Sequence, residues 1–155
     1  GSYDETLAAI PLLRRAGIHV AMMATVSKWN VQEIPALVDV AVEHQADIFA
    51  FARYCPSQAD RDTTCSPLEY RALLEACCRY VKPGGQLVYS TCSILPEENA
   101  LQLRRFLENH PDFTLLPLPD SFPAALRQRY GAEGLQLLPH RDHLDGFFIA
   151  RMGKP

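Results

Sequence analysis

Cys92 follows a short apolar run, Leu87 to Ser90, and precedes Pro96, Glu97, Glu98 and Asn99. A strand, a tight loop holding a thiol, and a helix opened by proline and carboxylates would set that thiol at the carboxyl end of a strand. Open α/β sheets form their ligand crevices there. A thiolate is a strong nucleophile once its pKa is lowered, and a helix amino terminus opening at Pro96 would lower it. Glu97 and Glu98 have the chemistry of acid–base groups, although carboxylates at a helix start more often answer the helix dipole. Glu97 and Asn99 are candidates on the substrate side, Asn99 reading also as a residue that shapes the loop. A second loop, Cys55 to Thr64, follows another strand candidate and would overlook the same kind of crevice. Its Cys55, Asp60, Arg61 and Asp62 are candidates to face a polar substrate.

Other clusters read as structural. His140, Asp142, His143 and Asp145 fall within six residues, but a polar turn before a strand explains them better than zinc, which needs converging ligands. No metal site is expected. Arg104, Arg105, Arg127, Arg129, Arg141 and Arg151 could make an RNA face; a formal charge of -3 favours scattered solvated arginines instead. Trp29 is expected to pack beside a helix cap. Cys77 and Cys78 read as helix packing residues. The five cysteines are odd in number and lack zinc-knuckle spacing, which points to free thiols in a reducing cytoplasm.

These residues need elements to hold them. With 155 residues, 48% apolar and 21% charged, the chain suits one ordinary domain with a normal core. No apolar run is long enough to span a membrane, and no signal peptide is visible. Gly1-Ser2 is either a tag remnant or native. Helices are expected from a Ser2/Glu5 capping box to Gly17, from an Asn30/Glu33 box through Val42, from Ser66 as one continuous rod to Val81, and from Pro96 to about Glu108. Pro35 would burden the second of these. Strands are expected at 18–26, 47–53 and 86–91, with shorter ones at 113–116, 135–138 and 146–152, and a helical turn at 124–130. The alternation predicts an α/β fold: a single three-layer, Rossmann-like domain over 1–155, with three parallel βα units and antiparallel C-terminal strands. The edge at 18–26 leaves a monomer or an edge-paired dimer open.

Two family resemblances lie on this frame. Lys82–Asn99 (KPGGQLVYSTCSILPEEN) and Leu137–Arg151 (LLPHRDHLDGFFIAR) resemble the carboxyl-terminal part of the Sun-type RNA cytosine-5 methyltransferases. The resemblance implies that Cys92 attacks carbon 6 of a cytosine in RNA, after which carbon 5 takes a methyl group from S-adenosylmethionine. That family's Gly-rich loop, its ribose-binding acid and its Pro-Cys strand end have no counterpart here. Arg53-Tyr54-Cys55-Pro56 stands at the last place, with the order reversed. Upstream, Ser2–Val20, Thr25–Ala41, Ala46–Pro56 and Ser66–Glu75 resemble the later half of a radical S-adenosylmethionine β/α core. The cluster-binding cysteine triplet of that core is missing.

The two resemblances meet between Leu74 and Val81, dividing the chain at 1–79 and 80–155. The chain therefore reads as a non-catalytic engineered or chimeric α/β scaffold without an intact active site, its Cys92 an idle thiol and no cofactor held. The alternative is a diverged or truncated RNA cytosine-5 methyltransferase using Cys92. A third reading is a fragment with residual S-adenosylmethionine affinity. RNA is the one partner the resemblance implies.

Overall fold

A computed structural model describes residues 1–55 and 57–155, with the side chain of Arg61 also outside the described set. The fold is mixed α/β, and it divides into two compact units, Gly1–Cys77 and Cys78–Pro155, where a single domain was expected. No helix among the described residues is long and apolar enough to cross a membrane.

The first unit opens with α1 (Ser2–Arg15), so Ser2 lies inside the helix and Gly1 precedes it. Strand β1 (Ala21–Val26) pairs in parallel with β2 (Ile48–Arg53), in register from Ala21 opposite Ile48 to Val26 opposite Arg53. Asp47 ties the start of this ladder: its Oδ2 accepts from the Val20 amide at 2.8 Å and its Oδ1 from Arg14 at 3.0 Å. Those bonds, the Val20 amide first, hold its carboxyl below the usual range. Between the strands, a 3-10 turn (Val31–Glu33) runs into α2 (Ile34–Glu43), which buries Ile34, Val38 and Ala41 at helical spacing. Pro35 stands at the first positions of α2, where its missing amide would be unpaired anyway, so it costs nothing there.

The Asn30/Glu33 box does not form. Asn30 instead closes the turn after β1, accepting from the Ser27 amide and donating to the Thr25 carbonyl, both at 2.9 Å. Trp29, on that turn, is 83% exposed and makes no cap-side contact. At Ser66, where a helix start was expected, a capping box forms: the Ser66 amide donates to Glu69 Oε2 at 2.7 Å, and the Glu69 amide to Ser66 Oγ at 3.3 Å. It starts α3 (Pro67–Cys77), which ends in a 3-10 turn at Cys78–Tyr80 rather than continuing as one rod to Val81.

The second unit is organised by its last strand. Here β3 (Gln86–Thr91), α4 (Ala100–Asn109), β4 (Thr114–Leu115), α5 (Ala124–Arg129), β5 (Leu135–Leu137) and α6 (Pro139–Asp142) precede β6 (Phe147–Gly153). Strand β6 runs antiparallel to β3 along one edge, and to β4 and β5 along the other. Its alternate residues Phe148, Ala150 and Met152 are almost wholly buried, as are Leu103 and Phe106 of α4. The antiparallel C-terminal strands are present. The parallel ladder, however, holds two strands instead of three, because β3 finds a full-length antiparallel partner in β6.

Candidate active site

Cys92 sits one residue beyond the end of β3, exposed and free. The loop that carries it is fixed from beneath by Asn99, which is 1% exposed. A side-chain amide offers one acceptor oxygen and two donor hydrogens, and Asn99 engages all of them. Its Oδ1 accepts from Thr91 Oγ1 at 2.6 Å, and its Nδ2 donates to the Ser93 carbonyl at 2.8 Å and to Gln136 Oε1 at 2.7 Å. Within the loop, the Ser93 amide donates to Thr91 Oγ1 at 3.3 Å and the Leu95 amide to Ser93 Oγ at 3.1 Å. Gln136, on β5, donates through Nε2 to the carbonyls of Phe147 (3.0 Å), Leu137 (3.1 Å) and Ser93 (3.3 Å). Tyr89 donates to the Glu98 carbonyl at 2.6 Å. Burial, with the Glu98 charge adding to it, pushes the Tyr89 hydroxyl up to about 12.

The helix after this loop starts later than its sequence suggests. Residues 96–99 form a turn, with the Asn99 amide donating to the Pro96 carbonyl at 3.1 Å. The Asn99 backbone, at φ -117° and ψ -104°, is not helical, so α4 begins at Ala100. Glu97 is exposed and Glu98 half-buried in that turn, and no acid stands in the first turn of α4. The dipole interaction expected of these two carboxylates is therefore absent, and Cys92 does not face a helix that opens at Pro96.

The candidates of the first unit occupy their own loop. Asp60 accepts from Ser57 Oγ at 2.6 Å and from the Tyr54 hydroxyl. Those bonds, Ser57 first, hold the Asp60 carboxyl below its ordinary value, and the bond to Asp60 raises Tyr54. Both oxygens thus close a loop that winds into 3-10 turns over Gln58–Thr63. Cys55 is exposed, its sulfur 3.8 Å from the Arg53 carbonyl, and Asp62 is exposed. The side chain of Arg61 lies outside the described set. The structure thus groups Asn99 with the Cys92 loop and binds Asp60 into a separate turn.

Sequence reasoning passed over Gln136, Thr91 and Gly146. Gln136 had one local signal: it is the lone polar residue in Leu135-Gln136-Leu137-Leu138, on the face opposite buried Leu135 and Leu137. Gly146 had none, since its closeness to Ile94 depends on folding. A Cβ there would overlap the Ile94 side chain.

S-adenosylmethionine, the donor implied by both resemblances, does not fit the residues present. A nucleoside-binding first βα turn needs glycines for close backbone approach and an acid at the next strand end for the ribose. No glycine occurs between Gly17 and Gly84. The turn after β1 is Ser27-Lys28-Trp29-Asn30, and β2 ends in Arg53, followed by Tyr54 and Cys55.

Comparison with known proteins extends the methyltransferase match. The family model described as 16S rRNA methyltransferase RsmB/F matches residues 52–153. A probable ribosomal RNA small subunit methyltransferase B from Synechocystis is 44% identical over 91 residues, 59% of this chain and 20% of that protein. Ribosomal RNA small subunit methyltransferase B from Xanthomonas campestris is 36% identical over 149 residues, 91% of this chain and 32% of that protein. A solved methyltransferase homologue from Pyrococcus horikoshii is 38% identical over 57% of this chain and 31% of its own, with a TM-score of 0.45. The chain thus spans between a fifth and a third of the length of these curated relatives.

The family match begins within β2, well before the junction expected at Leu74–Val81, and the Xanthomonas match leaves too little of the chain aside to miss residues 2–78. The radical S-adenosylmethionine assignment, and with it the chimera and the idle scaffold, finds no support. With residues 52–153 under its model, the chain belongs to the RsmB/F family of 16S rRNA methyltransferases.

Proposed function

We propose that this chain carries the nucleophile of an RNA cytosine-5 methyltransferase, and that Cys92 is that nucleophile. The observation that carries the reading is an exposed thiol on a loop whose neighbours, Thr91 and Ser93, are both bound to a buried amide. Such a thiol reaches an incoming base while its loop stays in place, and positioning of this kind is a main source of catalytic advantage. The base must leave its stack to be reached.

The chemistry of this half-reaction balances without a cofactor. The Cys92 thiol releases its proton to water, and Sγ bonds to carbon 6 of the cytosine. The C5=C6 electron pair moves to carbon 5, which becomes nucleophilic and takes a hydron from solvent. Reversal removes a hydron from carbon 5 and breaks the C–S bond. No step passes through S-adenosylmethionine, for which the residues present form no fitting site.

RNA carrying tritium at cytosine carbon 5 tests this directly, with no methyl donor added. The chain is expected to release tritium to water, and Cys92→Ala to release none above buffer. No release by the unsubstituted chain, or equal release by Cys92→Ala, overturns the reading.

A further inference from the structure

We infer that Gln136 is a positioning residue that sets the Cys92 loop, an inference that rests on the reading of Cys92 as nucleophile. Its own backbone is held first: the Gln136 carbonyl accepts from Arg129 at 3.1 Å and from Arg141. From that fixed point its side chain reaches three other segments. Oε1 receives an Asn99 hydrogen at 2.7 Å. Nε2 donates to the Phe147 carbonyl at 3.0 Å and the Leu137 carbonyl at 3.1 Å, with the Ser93 carbonyl at 3.3 Å as a third acceptor for its two hydrogens.

This arrangement determines which way the Asn99 amide faces. Because Gln136 presents an oxygen to Asn99, the Asn99 nitrogen must turn toward it, which leaves Asn99 Oδ1 for the Thr91 hydroxyl. Gln136 therefore acts on the loop at two depths: directly at Ser93, and through Asn99 at Thr91 and Ser93, the residues on either side of Cys92. The same amide links that loop to the first residue of β6. A side chain that merely filled space between strands would not engage every polar atom it owns.

Two variants test this. Gln136→Leu keeps the bulk and removes every bond. Gln136→Glu keeps the shape and, ionised, removes all three donations. Leu135→Ala is the control, since it opens a cavity in the same strand without touching the amide. In the tritium assay both Gln136 variants are expected to lose at least tenfold in release rate at saturating RNA, with half-saturation within twofold of the unsubstituted chain. Leu135→Ala is expected to keep its rate. By hydrogen exchange, the Ser93 and Leu95 amides are expected to open faster in the Gln136 variants and not in the control. A rate within twofold in both Gln136 variants, or equal loosening in the control, overturns the inference. If the unsubstituted chain releases no tritium, the reading of Cys92 fails, and amide exchange at Ser93 and Leu95 alone then decides whether Gln136 sets the loop.

Discussion

Asn99 shows how much one buried amide holds. Its three bonds join the end of β3, the Cys92 loop and β5, and a site 1% exposed offers no water to replace them. Asn99→Leu is similar in volume and can make none of them. It leaves the Thr91 hydroxyl without its acceptor and Gln136 Oε1 without its donor, and leaves the Ser93 carbonyl only the longer bond from Gln136 at 3.3 Å. An unsatisfied buried polar group costs about 1–3 kcal/mol, so this substitution should cost at least about 2 kcal/mol in urea unfolding. A loss under about 0.5 kcal/mol would mean that the network contributes little. The asparagine itself is visible in the sequence, six residues beyond Ser93. Its partner Gln136 lies 37 residues away along the chain, and pairings of that range come from packing rather than local pattern. That is why Cys92 stands out as a candidate in its motif while the network around it does not.

Among the elements, a local cap reads correctly only where no other nearby group competes for it. The Ser66/Glu69 box forms because both groups lie in one turn. The Asn30/Glu33 text looks equivalent, but Asn30 has the Ser27 amide and the Thr25 carbonyl within reach and takes those instead. The stretch around α6, a polar turn in sequence, is tied back to α5 by Asp142. The side chain of Asp142 is 7% exposed; it pairs with Arg129 and Arg141 and accepts from the Leu138 amide at 2.7 Å. The Arg129 bond first, then the Leu138 amide, hold its carboxyl far below the ordinary 3.8. A carboxyl whose folded pKa is lowered adds stability above its unfolded value and loses it as pH falls toward the folded one. Asp142→Asn should therefore melt below the unsubstituted chain at pH 6, and the gap should close as pH drops below about 4. Melting midpoints taken from pH 6 to pH 2 check this. A gap that stays constant would show that the charge of Asp142 contributes nothing.

At the scale of the whole molecule, the α/β class and the antiparallel C-terminal strands follow from patterns the chain displays openly, such as the apolar run along Gly146–Met152. The third parallel strand does not, because a strand's own residues do not name its partner: β3 is compatible with either kind of neighbour, and β6 matches it over six residues. The two units consequently differ in how their sheets are protected. In the first, β1 and β2 form a two-stranded ladder, and of their twelve residues only Val26 is buried. Two-stranded sheets are marginal by themselves and depend on what packs against them. In the second, β6 is flanked along both edges and has Phe148, Ala150 and Met152 at 1% exposure or less. Amide protection tracks the cost of local opening, which rises with buried apolar contact and with bonding on both sides of a strand. The amides of β6 from Phe148 to Met152 should therefore exchange more slowly than those of β1 from Ala21 to Val26 under native conditions, by an order of magnitude or more. Peptide-resolved hydrogen exchange measures both in one experiment, and β1 outlasting β6 would show that sheet pairing is not what orders stability in this chain.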